Sequence, residues 1–249
     1  NGPDSFTVTV SDGKGGSVVT TVSLTVTPLN DDPVARNDAN GLVKTDTVPA
    51  TGNLITNPAG ADTDVDGDTL AVSNVAGVAV TGATVVTGLY GTLTIQANGQ
   101  YSYIQDATNN TVTSLAPGAT LQDAFTYTVT DGQGGSANAV LSITIAGANT
   151  PPVARADVVG TPEDSAVSFA VLDNDTDPEN DTLSVTGATV DPLKGTVVVN
   201  ANGTLTFTPA PDVNGPVEVT YTVSDGKGGT STAIATINVT PIADTAVLG

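Results

Sequence analysis

Two stretches of this chain carry carboxylates at nearly every second position. Asp62, Asp64, Asp66 and Asp68 fall within seven residues, and Asp173, Asp175, Asp177, Glu179 and Asp181 within nine. Hard cations such as Ca2+ take about six to eight oxygen ligands from carboxylates, backbone carbonyls and water. Carboxylates packed this densely in a folded loop repel one another unless a cation sits among them. The chemistry these residues suit is therefore ion binding, with solubilising surface loops that hold no metal as the plainer alternative. The opening Asp62 to Gly67 matches the first half of an EF-hand loop, but the bidentate Glu that loop needs at its last position is Ser73 here. Leu70 and Val72 also alternate as a strand rather than continuing as a helix, so the EF-hand is rejected.

Composition narrows the rest. The 249 residues include no His and no Cys, which removes the usual zinc sites, nucleophile–base pairs and disulfides. Paired carboxylates can hydrolyse glycosides, but these lie in acidic loops without an aromatic cleft, so no enzyme is expected. Six Lys plus Arg against 26 Asp plus Glu give a net charge of −20. That balance excludes nucleic acid and insertion at an anionic membrane as partners, since both need a basic surface. Only Glu163, Glu179 and Glu218 are Glu; the other 23 acids are Asp, which favours turns where Glu favours helices. No apolar run approaches the ~20 residues of a membrane span, and the residues show no signal-peptide pattern. The absence of Met marks the chain as a piece of something longer.

The acidic loops need elements to hold them, and those elements repeat. Asp-Gly-x-Gly-Gly occurs at Asp12–Gly16, Asp131–Gly135 and Asp225–Gly229, with Asp131 lying 119 residues after Asp12 and Asp225 a further 94 on. Recurrence at domain spacing means tandem copies of one unit. Before each phrase apolar residues alternate with Thr: Phe6, Val8 and Val10; Phe125, Tyr127 and Val129; Val219, Tyr221 and Val223. After it they return at Val22, Leu24 and Val26; at Leu141, Ile143 and Ile145; and at Ala235, Ile237 and Val239. This is the period of half-buried strands, so each phrase is predicted to be a β-hairpin tip whose Gly residues supply positive φ. Asn98-Gly99 and Asn202-Gly203 predict a second hairpin in two of the copies. No amphipathic helix is evident.

Pro-rich junctions follow each hairpin, and Pro33 to Asp38 then matches Pro152 to Asp157. The expected division is residues 1–29 as the last hairpin of a preceding repeat, 30–149 and 150–243 as two complete β-sandwiches, and 244–249 as the start of another junction. Residues 1–29 then present an apolar face that needs a cover from outside one unit. The fold class read from this pattern is all-β, tandem immunoglobulin- or cadherin-like sandwiches in an elongated array.

At these residues a family resemblance enters. NDTDPENDTL, NGTLTFTP, SDGKGG and TPIAD resemble the bacterial cadherin-like tandem repeats. YGTLTIQANGQYSY, SLAPGATLQDAFTYTVTDGQGG and ITIAGANTPP are similar to the VCBS repeat. The resemblance implies an extracellular stalk module of a large RTX-like surface adhesin, exported by type I secretion, with a role in cell adhesion or biofilm. It also implies stiffening by calcium at the domain junctions.

In such a sandwich the acidic loop, the Gly-rich hairpin tip and the incoming chain share one end. The candidate metal residues are then Asp31, Asp62, Asp64 and Asp131, with Asp66 and Asp68 behind. In the last unit they are Asp175, Asp177 and Asp225, with Asp173, Glu179 and Asp181 behind. Glu163 is expected at the far end of that unit, beside Asp244 of the following junction. Asn149-Thr150-Pro151 stands where the earlier junction has Asn30-Asp31-Asp32, so the second junction lacks both linker aspartates. Asp12, Asp131 and Asp225 also fit a simpler role, capping their own turns. The expected partners are neighbouring repeats of the same chain, other copies of itself, or host or biofilm surface ligands. Two other functions fit the residues. One is a self-assembling filament or surface-layer subunit built through the hairpin of residues 1–29. The other is a carbohydrate- or surface-binding module, for which Tyr90, Tyr101 and Tyr103 are the one local aromatic group, although their strand positions favour a core role.

Overall fold

The computed structural model describes residues 2–243. It is nearly all β, and the predicted hairpins are present at the predicted places. The first consists of β1 (Gly2–Ser11) and β2 (Ser17–Val26), paired antiparallel with Phe6 opposite Val22 and Val10 opposite Val18.

Residues 38–146 form two facing sheets from β3 (Asp38–Val43), β4 (Ala50–Asn53), β5 (Ala71–Val75), β6 (Val78–Ala79), β7 (Thr84–Thr87), β8 (Gly91–Ile95), β9 (Gln100–Gln105), β10 (Thr120–Thr130) and β11 (Ser136–Ala146). One sheet has the order β3-β11-β10-β5-β6 and the other β4-β9-β8-β7. Period-2 alternation places Phe125, Tyr127 and Val129 of β10 and Leu141, Ile143 and Ile145 of β11 inward, onto Leu93, Ile95 and Tyr103 of the second sheet. The only helix among the described residues is one turn, α1 (Asn110–Thr113), whose start is fixed by the Asn109 side chain accepting the Thr111 N–H.

Residues 157–240 repeat the plan with β12 (Asp157–Pro162), β13 (Val167–Phe169), β14 (Ser184–Val190), β15 (Gly195–Val199), β16 (Leu205–Pro209), β17 (Gly215–Ser224) and β18 (Thr230–Thr240). The sheets are β12-β18-β17-β14 and β13-β16-β15, closing over Val219, Tyr221, Val223, Leu205, Phe207 and Ile237. In both units the opening strand runs parallel to the closing one, Asp38 to Val43 against Leu141 to Ala146 and Asp157 to Pro162 against Ala235 to Thr240.

The first hairpin corresponds residue for residue to β17–β18, yet its inward face is open. Phe6, Val10, Leu24 and Val26 are each about half exposed, where their equivalents Val219, Val223, Ile237 and Val239 are buried.

The Asp-Gly-x-Gly-Gly tips explain their own sequence. The second and fourth residues have positive φ in all three copies, +69° and +98°, +77° and +115°, +70° and +106°. A Cβ on the fifth residue would collide with the carboxylate of the first, so Gly16, Gly135 and Gly229 are required by the side chain they face.

A buried tyrosine ties the opening strand to the core in each unit. Tyr127 Oη donates to Asp38 Oδ2 at 2.8 Å or to the Arg36 carbonyl at 2.6 Å, and Tyr221 Oη is placed alike against Asp157 and Arg155. Asp123 accepts from Tyr103 Oη and from the Leu89 and Tyr90 N–H groups, which fixes the turn between β7 and β8. Removing the Tyr127 hydroxyl leaves the buried Asp38 oxygen without its donor. Tyr127→Phe should therefore cost about 1–3 kcal/mol in denaturant unfolding. Tyr221→Phe should fall at the low end, because Asp157 is half-buried.

Candidate metal centre

The first acidic loop links β4 to β5 and is curled by one of its own carboxylates. Asp64 Oδ1 accepts the N–H groups of Asp66 at 2.8 Å and Asp68 at 3.3 Å. The second loop links β13 to β14 and repeats the device, with Asp177 Oδ1 accepting from Glu179 at 2.9 Å and Asp181 at 3.1 Å. Each curl gathers three acids. Carboxylate oxygens of Asp64, Asp66 and Asp68 lie within 4.8 Å of one another, as do those of Asp177, Glu179 and Asp181.

The other oxygen of each curling residue shows what is missing. Asp64 Oδ2 and Asp177 Oδ2 are buried and have no hydrogen-bond partner. A buried carboxylate oxygen without a partner costs free energy, and a hard cation satisfies it at the point where two further carboxylates converge. The residues present therefore fit a Ca2+ ion. Asp68 is held above the usual carboxylate range by desolvation and then by the charges of Asp64, Asp131 and Asp66, a repulsion that a cation removes.

The incoming chain and the Gly-rich tip meet the loop at the same end, as the sandwich predicts. Asp31 N–H donates to Asp66 Oδ2 and Thr150 N–H to Glu179 Oε2, both at 2.9 Å. Asn30 Nδ2 donates to Asp131 Oδ2 and Asn149 Nδ2 to Asp225 Oδ2, both at 2.7 Å.

The expected ligand sets need correcting in detail. The structure groups Asp66 and Asp68 with Asp64, and Glu179 and Asp181 with Asp177, rather than setting them behind. Asp62 and Asp175 are outside the tight groups. Their Oδ1 atoms accept the Arg36 and Arg155 N–H groups at 2.7 Å. Burial pushes the Asp62 carboxyl up to about 6, with the nearby charge of Asp38 adding to it, and burial also raises Asp175. Both keep a buried, unpartnered Oδ2.

Asp131 and Asp225 cap their turns. Asp131 Oδ1 accepts from Gln133 and Gly135, and Asp225 Oδ1 from Lys227 and Gly229. Donation from the Asn30 and Asn149 side chains, then from these turn N–H groups, holds both carboxyls below the usual range. Asp12 caps its tip in the same way, on the surface. Asp31 touches the group through its backbone, and its side chain is exposed. Asp173 is exposed and its charge is felt by Asp157. Glu163 is buried at the far end of the last unit, where its Oε1 accepts the Ile242 N–H at 2.6 Å. Asp244 lies outside the described residues.

Sequence reasoning missed Lys44, buried and paired with Glu179. It also missed Asp38, Asp157 and Asp123 as tyrosine partners. The match of Pro33–Asp38 with Pro152–Asp157, continued six residues further, would have set Lys44 against Glu163.

Comparison with known proteins fits this architecture. Residues 30–147, read above as VCBS-like, match the bacterial cadherin-like domain model. Residues 149–238, read above as cadherin-like, match the bacterial Ig domain model. The two matches lie in tandem, a bacterial cadherin-like domain model followed by a bacterial Ig domain model. It is 28% identical over 179 residues, 63% of its own length and 75% of the other's, to the calcium-binding lectin RapA2 of Rhizobium johnstonii. Among solved structures, mouse cadherin-23 EC22–24 aligns at 15% identity and a TM-score of 0.47, over 96% of this chain and 74% of that one. The endo-fucoidan hydrolase MfFcnA4 aligns at 18% identity and a TM-score of 0.32, where this chain spans 97% of its own length but 34% of the hydrolase.

Asn in place of Asp64 or Asp177 keeps an Oδ1 to cap the loop while removing the charge. Asp64→Asn and Asp177→Asn should each abolish one calcium-binding event in titration calorimetry while leaving the melting temperature in chelator unchanged or raised. A loss of folding in chelator would instead mark these residues as purely structural.

Proposed function

We propose that this chain is a calcium-stiffened spacer segment of an extracellular bacterial adhesin, and that it has no catalytic role. The observation that carries the reading is the pair of buried, partnerless oxygens on Asp64 and Asp177, each within a group of three converging carboxylates. The matches to bacterial cadherin-like and Ig domains support a repeat module in an adhesive surface protein, and so does the description of RapA2 as a calcium-binding lectin. Among the described residues no helix is long and apolar enough to cross a membrane. The partners proposed are adjacent repeats of the parent chain. In this reading the protein acts mechanically. Without calcium the acidic loops repel, and with it they close around ions at the end where the chain enters each unit. An ion that binds only the folded state also adds about 2.7 kcal/mol when present at one hundred times its dissociation constant. Millimolar Ca2+ should raise the melting temperature and a chelator should reverse the rise. A melting curve indifferent to both rejects the reading.

Glycan binding is the second reading, and one surface feature favours it. A groove of about 780 Å³ between β3, β4 and β9 is lined by Asn, Gln, Thr and Ser side chains and Tyr101, with no charged residue. Uncharged amides and hydroxyls are the groups that recognise neutral sugars, and such a lining stands out in a chain of net charge −20. Tyr101 offers its hydroxyl edge rather than a ring face, since it is buried against Gly52. Retention on a neutral glycan array that disappears in Thr94→Ala and Gln96→Ala would establish it, and no retention would remove it.

A further inference from the structure

Lys44 stands where the next unit has an acid. The register of the opening strands is the same in both units, with Asp38 beside Leu141 and Asp157 beside Ala235. One residue past each strand, Lys44 N–H donates to the Ala146 carbonyl at 2.9 Å and Glu163 N–H to the Thr240 carbonyl at 2.8 Å. The two positions are therefore equivalent. Both residues are buried, 8% and 4% exposed, and both side chains turn to the junction that follows their own unit. Glu163 places a carboxylate there. Lys44 places an ammonium.

That ammonium is held by both units. It donates to the carbonyl of Thr113, in α1 of its own unit, at 2.7 Å. It also pairs with Glu179 Oε1 of the next, and the two side chains are 3% and 1% exposed. The other Glu179 oxygen accepts the Thr150 N–H of the junction itself. Glu179 belongs to the carboxylate group of the second loop, so one member of that group is already neutralised by a charge from the preceding unit. In the first loop the equivalent Asp66 meets Asp31 N–H, and among the described residues no Lys or Arg pairs with it. The junction that has the lysine is also the one whose linker carries Thr150 and Pro151 where the other has Asp31 and Asp32. Fewer acids and a built-in cation are two halves of one arrangement.

We propose that the Lys44 ammonium, rather than an ion shared between units, fastens the joint between residues 30–149 and 150–243, so that this joint is locked without calcium while the unpartnered Asp177 oxygen stays open to an ion within the second unit. A buried ion pair is strict about its partner, since removing one charge strands the other in a dry site. The proposal goes beyond the calcium reading, because the lock needs no metal.

Spin–spin distance measurement on the whole chain tests it. The chain has no cysteine, so Val85→Cys and Val198→Cys, at positions 61% and 57% exposed, label one site on each unit. With Lys44 intact the distance distribution should be narrow in chelator and unchanged by millimolar Ca2+. K44M, which keeps the apolar stem, and K44E should both lose the narrow distribution in chelator, and K44R, which keeps a cation facing Thr113 and Glu179, should retain it. Melting curves taken in chelator establish that both units of each variant are folded. A Lys44 chain that broadens in chelator overturns the proposal and leaves the calcium reading standing. A narrow distribution in K44M and K44E overturns it as well. A melting temperature insensitive to calcium, with a distribution that is narrow in the Lys44 chain with and without calcium and broad in K44M and K44E, supports the lysine lock and rejects the calcium reading.

Discussion

A carboxylate that curls its own loop cannot also be left alone. Asp64 and Asp177 each spend one oxygen on two backbone N–H groups, and that choice folds the loop. The same fold strips water from the second oxygen and draws two more acids alongside. Local structure and charge density are thus produced together, and the loop is most comfortable when something positive completes it. The Asp31 and Thr150 N–H groups tie that loop to the incoming chain, and the Asn side chains at each junction tie the incoming chain to the Gly-rich tips.

Much of this was legible in the residues. Alternation of Thr with Val, Phe and Tyr located the long hairpins, and Asn-Gly located the shorter ones. The repeated phrase placed a turn beside each acidic loop, and the sandwich geometry correctly put both at the end where the chain enters. Which acids face one another was less accessible. In an extended stretch, alternate residues share a side, and the spacing of Asp62, Asp64, Asp66 and Asp68 suggests one continuous row. The curl at Asp64 breaks the row, leaving Asp62 committed to the Arg36 backbone. That commitment depends on a residue 26 positions away, which no local pattern encodes.

The same limit applies to Lys44. A lone lysine after a strand reads as a solvated charge, and such residues usually keep their ammonium in water. Its burial comes from partners distant in sequence, the Thr113 carbonyl and Glu179 of the next unit. The two units carry nearly superimposable networks, Asn30 with Asp131 and Asn149 with Asp225, Tyr127 with Asp38 and Tyr221 with Asp157. Against that shared background, a reversal of charge at one equivalent position is where the two ends of a unit become different.

The parallel pairing of opening and closing strands bears on how these domains respond to tension. The chain enters a unit at the start of β3 and leaves at the end of β11, and these neighbours run in the same direction. Pulling on the two ends drags the strands past each other along their length. Every hydrogen bond from Asp38–Leu141 to Val43–Ala146 is then loaded at once, rather than one after another as in the peeling of a hairpin. The last unit has the identical arrangement between β12 and β18. Resistance to force is thus set by which strands lie side by side, and it resides in the backbone pairing of a single sheet edge.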